Sequence, residues 1–319
     1  MRYLIKLKPL TPFLFGGDTT FGKLGDKDEG TYLVKSRYFP QQTAILGMIR
    51  REIMIQTSLL KRKIRGEWVD NYDKKRAKEL VGFEKFDITQ SKKQDFGVLK
   101  EIGAIFLMNK DNSYIKKVAV DGLKYSDGIL EGYNPKEDIY DNFISLETEE
   151  TLSRKDIFLE IEQTGNKKGG EENSLFKKTS LLLKDEFVFA FYMESSYKLS
   201  NSIIKLGADG SSFAMEVIET EKRLEYKDSG GYLTLLSDAY IDISLKESCD
   251  FAITNEISFE NLQNKKHSSR HNRFQKSQKL YLYEKGSIFL NPTQKLIDNL
   301  NNKNLQQIGY NVYTLGETL

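Results

Sequence analysis

The stretch LGADGSSFAMEVIE, residues 206–219, constrains the fold of this chain most strongly, because a tight glycine turn runs directly into a strand. Glycine alone reaches positive φ without steric cost, so Gly207 and Gly210 let the backbone bend sharply and approach another chain closely. Asp209, Ser211 and Ser212 put small polar groups at the tip. Beyond them Phe213, Met215 and Val217 alternate with Ala214, Glu216 and Ile218 in strand period. Such a turn suits a phosphate backbone or a packed neighbour. As an ordinary connection it joins a short helix over 200–206 to the strand.

Upstream, residues 3–15 alternate as a strand, with Ile5 and Leu7 against Lys6 and Lys8, until Pro9 and Pro12 disturb the ladder. After Pro40, Ile45, Met48, Ile49 and Ile53 recur at helical spacing. A second helix over 68–81 stops at Gly82, in the glycine-past-the-end pattern. The polar stretch from about 83 to 155 reads as an insertion. Residues 158–162 and 187–193 read as strands, and 163–180 between them as a protruding basic hairpin bearing Lys167, Lys168, Lys177 and Lys178.

The resulting order, strand, helix, strand, strand, short helix, strand, is the ferredoxin-like βαββαβ (RRM-like) arrangement. A more degenerate copy follows Gly231: strands over 232–243, 251–253 and 281–290, a helix from Pro292 to about 305, and a last strand over 310–315. The expectation is an α+β chain of two domains, 1–225 and 226–319, the first carrying the insertion and the hairpin.

Charge is nearly balanced, with 48 Lys and Arg against 46 Asp and Glu, so net charge makes no case for nucleic acid. Its distribution does. Residues 265–279 hold Lys265, Lys266, Arg270, Arg273, Lys276 and Lys279 with His267 and His271 and not one acid, and a second basic cluster covers 61–65. Acids gather separately over 137–150 and at Glu171 and Glu172. This mosaic fits a subunit that meets an anionic partner on one side and protein on others. No apolar run approaches the roughly 20 residues that span a bilayer, and the first residues alternate instead of forming a signal-peptide core. The expected setting is cytoplasmic, with no membrane partner. Cys249 is the only cysteine, which excludes an intrachain disulfide and a thiolate zinc cage.

Candidate chemistry is sparse. His267 and His271 lie four apart, as a metal or acid–base pair on a helix would, but Ser268, Ser269, Asn272 and Gln275 around them look like a polar loop facing RNA or a partner. No phosphate-loop, His-Glu-x-x-His or paired-Asp motif occurs. No metal, no cofactor and no enzymatic activity are expected. Gln41, Gln42 and Thr43 crowd the start of the first helix, where free amides and the helix dipole favour an anion, and Arg50 and Arg51 extend such a site; the alternative is a capped helix with solvated arginines. Tyr38 and Phe39 beside Arg37, and Phe176 beside Lys177, offer stacking on bases or belong to the core. Candidate RNA contacts are therefore Arg37, Gln41, Gln42, Thr43, Arg50, Lys167, Lys168, Lys177, Lys178, Gly207, Gly210, Ser211, Ser212, Arg270, His271 and Arg273.

The strand ending in TPFLFGG (11–17), the segment SRYFPQQTAILGMIRREI (36–53), the block TGNKKGGEENSLFKKTSLLLKDEFVFAFYM (164–193) and the glycine turn together resemble the RAMP proteins of CRISPR effector complexes. The nearest similarity is to the third subunit of type III-B (Cmr) complexes. Pro40, Gly47 and Arg50 match that family's proline-led helix, Leu175 and Phe176 its Leu-Phe step after an extended hairpin, and Gly286, Ser287, Gly309 and Tyr310 its C-terminal glycine steps. The resemblance covers most of the chain outside the insertion. It implies a non-catalytic subunit that holds the 5′ tag of a CRISPR RNA, sits beside neighbouring RAMP backbone subunits and docks the large polymerase/cyclase-type subunit; target RNA is then read by pairing with the guide. Two other classes stay open: a RAMP endoribonuclease using His267 or His271 with a tyrosine, and an adaptor that contacts protein alone.

Overall fold

A computed structural model describes residues 1–16, 19–21, 32–60, 63–64, 67–68, 73–82, 85–118, 124–126, 128–133, 141–148, 150–166, 175–208, 210–224, 232–260, 262–265 and 273–316. It is α+β, with mostly antiparallel sheets and few helices. The chain divides into two units: 1–115, 142–226 and 303–309 form the first, and 116–141, 227–302 and 310–319 the second.

The first unit is built on four strands: β1 (Arg2–Pro9), β2 (Phe106–Asn109), β3 (Phe187–Ser195) and β4 (Ser212–Glu219). They lie side by side as β4-β1-β3-β2, every neighbour antiparallel. Alternation in β1 puts Tyr3, Ile5 and Leu7 on the buried face, opposite Met193, Phe191 and Phe189 of β3. Phe13, Phe189 and Phe213 are completely buried, the Phe13 ring centroid 5.4 Å from Phe189 and 5.8 Å from Phe213. Burying each such ring contributes about 2 to 3 kcal/mol.

Helix α1 (Gln42–Gln56) buries Ile45, Ile49 and Ile53, four apart on one face, and lies against α2 (Lys74–Val81) and the strand Ser202–Lys205. Helix α2 ends at Gly82 as the sequence predicts, but begins six residues later than 68, because Asp73 accepts the Arg76 amide at 3.0 Å and caps the helix there.

Three differences from the sequence expectation concern the strands of this unit. Residues 202–205 are a strand, not a helix: Ile203 and Ile204 are β-branched and pair with Ala214 and Phe213, so the glycine turn closes a hairpin. The stretch read as an insertion supplies Leu99–Ile102, β2, Asn112–Lys116, Asn142–Ser145 and Thr151–Ser153 to the main sheet, which has nine strands among the described residues. The hairpin is longer than 163–180: Phe158–Asn166 pairs with Leu175–Leu183, from Phe158 opposite Leu183 to Asn166 opposite Leu175. Tyr32–Lys35 adds to it in parallel, and Thr19–Phe21 follows.

In the second unit β5 (Tyr232–Leu235), β6 (Phe251–Ile253), β7 (Ile288–Leu290) and β8 (Tyr313–Leu315) lie in the order β8-β5-β7-β6, again all antiparallel. This repeats the spatial order of the first unit. Its core holds Leu233, Leu235, Ala239 and Phe289 with Leu296 and Leu300 of α3 (Gln294–Leu300), whose cap is Thr293 instead of the anticipated Pro292 start. The strand anticipated over 281–290 is broken into Leu280–Tyr283 and β7, because Gly286 turns at φ +87° between them. Helix α4 (Lys303–Gln307) returns to the first unit, where Asn304 donates to the Asp87 carbonyl at 2.8 Å.

Candidate nucleic-acid interface

Phe13, Leu14 and Phe15 of the TPFLFGG segment each hydrogen-bond a different part of the first unit. Phe13 exchanges amide–carbonyl bonds with Leu181 of the long hairpin, at 2.7 and 2.9 Å. Leu14 accepts the Ala208 amide at 2.8 Å. Phe15 accepts the Arg37 amide at 3.1 Å, while its own amide donates to Ser36 Oγ at 2.9 Å. Thus the four segments that carry the family resemblance, far apart in sequence, meet within one cluster of backbone bonds. The candidate elements around that hub are the glycine turn, the start of α1 and the hairpin.

The glycine turn is shaped largely by its own chain. A Cβ on Gly207, at φ +86°, would meet the Leu14 carbonyl oxygen at 2.7 Å. Ser211 is buried, with Oγ donating to Pro12 O at 3.1 Å, and Ser212 is half-buried, its Oγ accepting from Lys205 Nζ at 2.6 Å. Gly210 differs: its φ is +63°, it is exposed, and nothing lies within 4 Å of where a Cβ would sit. It is the position of the turn open to an approaching backbone.

At the start of α1, Gln41 occupies the cap position in extended conformation with no side-chain cap bond, and Thr43 is half-buried. Gln42 is 3% exposed and its Nε2 donates to Gly103 O at 3.3 Å and Gly309 O at 3.1 Å. Gly309 sits at φ +86°, where a Cβ would meet Gly103 O at 2.5 Å, so the close approach requires glycine. Gln42 therefore pins the returning segment 303–309 inside the first unit. The Arg50 guanidinium lies 4.6 Å above the Phe96 ring, a cation–π contact against a buried aromatic.

Arg37 is half-buried, and Tyr38 next to it accepts from Arg154 Nη1 at 3.2 Å while its ring lies 4.9 Å from Phe158. Arg154 escaped the sequence reading, although its signal was present: Ser153 and Asp156 form a capping box that opens the short helix Arg154–Ile157. The Ser153 hydroxyl and amide, at 2.7 and 2.8 Å, hold the Asp156 carboxyl below the usual carboxylate range. On the hairpin, Lys177 pairs with Glu162 at 2.7 Å and Lys35 with Glu160 at 3.6 Å, which offsets part of their charge toward an anion. Lys178 is half-buried.

Lys167, Lys168, Arg270 and His271 lie outside the described residues. Arg273 is on a two-stranded ribbon of the second unit, its backbone opposite Lys265, with Lys276 opposite Leu262. Glu256–Phe259 and Leu280–Tyr283 form a second ribbon, so residues 262–265, 273–276 and 280–283 of the acid-free stretch lie on paired strands. Near the start of these ribbons Lys116, 4% exposed, reaches Glu284 at 2.7 Å and Asp141 at 3.7 Å. Burial pushes the neighbouring Lys285 ammonium down to about 8, against the opposing pull of Asp238 and Glu284, with Lys116 adding to the depression. No described group of three or more His, Cys, Asp or Glu is placed to hold a metal ion, and no described helix is long and apolar enough to cross a membrane.

No family model matches the chain, and no curated protein matches it significantly. Solved structures do. A chain of the cryo-EM structure of type III-B Cmr-beta bound to cognate target RNA matches with TM-score 0.55 and 15% identity, over 99% of this chain and 98% of that one. A second, of Cmr-beta bound to cognate target RNA and AMPPnP, matches with TM-score 0.54 and 14% identity, over 98% and 96%. The chain thus shares the fold of these type III-B Cmr-beta chains, in agreement with the resemblance in its sequence.

Proposed function

We propose that this chain is a non-catalytic subunit of a type III-B CRISPR RNA-guided effector complex, binding the 5′ tag of the CRISPR RNA and docking the large polymerase/cyclase-type subunit. The observation that carries the proposal is the end-to-end match, at 99% and 98% coverage, to a chain of Cmr-beta bound to target RNA. The repeated strand order, β4-β1-β3-β2 and β8-β5-β7-β6, supports taking both units as variant ferredoxin-like domains, with α1 and α2 after the first strand of one unit and α3 before the last strand of the other. We take the open side of Gly210 and the half-buried Arg37 as the candidate contacts of the first unit with the guide's sugar-phosphate backbone, and Arg270 and Arg273 as separate candidate contacts of the second. Neighbouring RAMP subunits and the guide-paired target RNA complete the assembly in the cytoplasm.

The non-catalytic role rests on the sequence: its two histidines share one basic stretch and no acidic residue lies within it. Purification of the assembled complex from its host, followed by sequencing of the bound RNA, tests the proposal. Guides that share one repeat-derived 5′ end, and purified protein that leaves repeat RNA intact, are the expected results. Recovery without guide RNA would favour an adaptor, and cleavage lost on His271→Ala would favour a nuclease.

A further inference from the structure

The nine-stranded sheet ends on Ser202–Lys205, which pairs with β4 on one side and, among the described residues, with no strand on the other. The register decides what faces the open side. Leu206 donates its amide to Ser211 across the turn, and Ser212 faces β1 by accepting the Leu10 amide. Bonded positions recur every second residue in an antiparallel pair. Ser202 and Ile204 therefore bond to β4, and the N–H and C=O groups of Ile203 and Lys205 point away from it.

The side chains reinforce that asymmetry. Ile204 is buried, whereas Ile203 is 70% exposed, the most of any large hydrophobic described. Ala214 lies opposite Ile203, and Lys8 is next along the same row. Lys8, Lys198 and Lys205 are all exposed, and none takes part in a described ion pair. Proteins guard such edges with proline, a bulge, an inward-pointing charge or a covering segment. The strand SIIK has no proline and no register shift, and its inward position is the apolar Ile204.

We propose that Ser202–Lys205 is a docking edge that receives an extended, acid-bearing segment of a partner protein as a further strand. Polypeptide, unlike the phosphate backbone of RNA, supplies alternating donors and acceptors that match both the outward N–H and the outward C=O groups. The exposed Ile203 takes an apolar side chain of the incoming strand, and Lys205 on the same face, with Lys8 further along the row, selects acids over bases. The inference goes beyond RNA binding and does not depend on it.

The test uses the full chain with three probes: a blocked octapeptide alternating Val and Glu, its Val/Lys counterpart, and an oligouridylate. Hydrogen exchange over residues 200–206 and fluorescence anisotropy are the readouts. The Val/Glu peptide should bind and slow exchange at Ile203 and Lys205; the Val/Lys peptide should not bind, and the oligouridylate, bound elsewhere on the chain, should leave those two amides unprotected. Ile203→Pro removes an outward N–H without touching the β4 ladder and should weaken binding at least about tenfold, or roughly 1.4 kcal/mol. Ile203→Glu, which leaves the backbone intact, should weaken it similarly by repulsion and lost apolar contact. Unprotected Ile203 and Lys205 amides with the Val/Glu peptide, protection by the oligouridylate instead, or unchanged affinity in Ile203→Glu would each overturn the proposal.

Discussion

Replacing Gly207 with alanine distinguishes a turn shaped by its own chain from one shaped for a ligand. At φ +86° a Cβ would lie 2.7 Å from the Leu14 carbonyl oxygen and 3.1 Å from the Phe15 ring. Positive φ alone costs a residue with a Cβ about 1 to 2 kcal/mol. The Leu14 backbone cannot swing aside as a side-chain tip would, because its carbonyl accepts the Ala208 amide at 2.8 Å. Stretching that bond loses about 1 kcal/mol more. The sum, about 2 to 3 kcal/mol, corresponds to a melting point lowered by roughly 4 to 12 °C in a unit of this size. At Gly210, φ is +63° but nothing lies within 4 Å, so only the conformational cost remains. That is about 1 to 2 kcal/mol, or roughly 2 to 8 °C, about 1 kcal/mol less than at Gly207. Thermal unfolding of both variants by circular dichroism measures the difference. Equal melting points, or a larger loss at Gly210, would refute the assignment of Gly207 to internal packing.

Gln42→Ala should cost about 1 to 3 kcal/mol in chemical denaturation by leaving the Gly103 and Gly309 carbonyls without their donor; guide affinity in the assembled complex should not change. Arg50→Ala should lose about 1 to 2 kcal/mol of stability from the contact over Phe96, and in filter binding at several salt concentrations the salt slope should stay constant. A slope lowered by about one unit would instead place Arg50 on phosphate. Lys285 titrates near 8 when folded and at 10.5 when unfolded, so below pH 8 the folded state carries the full cost of a buried ammonium. Between those values the unfolded chain binds the extra proton, and stability rises with pH. Lys285→Met should therefore be more stable than the parent at pH 7 by about 1 to 3 kcal/mol, part of the shift being returned as Asp238 and Glu284 lose the attraction of the ammonium. Denaturant titrations should show that advantage shrinking between about pH 8 and 10.5.

The parts of the fold written in local pattern were legible. The alternation of Ile5 and Leu7, the isoleucines of α1 and the apolar run of β3 fix those elements without tertiary help. Residues 202–206 were not, because a five-residue segment fits either a helical turn or a strand, and only the partner residues Ala214 and Phe213 decide between them. The strands between 99 and 153 were hidden for a related reason: they are short and bury their apolar residues against distant partners, as Phe106 does opposite Ala190 of β3. Site residues were harder still. Gln42 looks like an exposed polar cap until Gly309, hundreds of residues away in sequence, is seen to accept its amide. Arg50 looks solvated until Phe96 is placed beneath it. Gly207 and Gly210 are alike in sequence, and only the Leu14 carbonyl separates a packed glycine from an open one.

Cross-linking of guide RNA within the assembled complex tests the central claim most directly. With photoreactive uridines placed either in the 5′ tag or in the spacer, mass spectrometry identifies the attached peptides of this chain. The account predicts tag cross-links to peptides spanning residues 35–43 and 206–212, and to the basic ribbon around Arg273, with few or none from the spacer. Tag cross-links confined to other subunits, with this chain attached to the spacer alone or to no RNA, would contradict it.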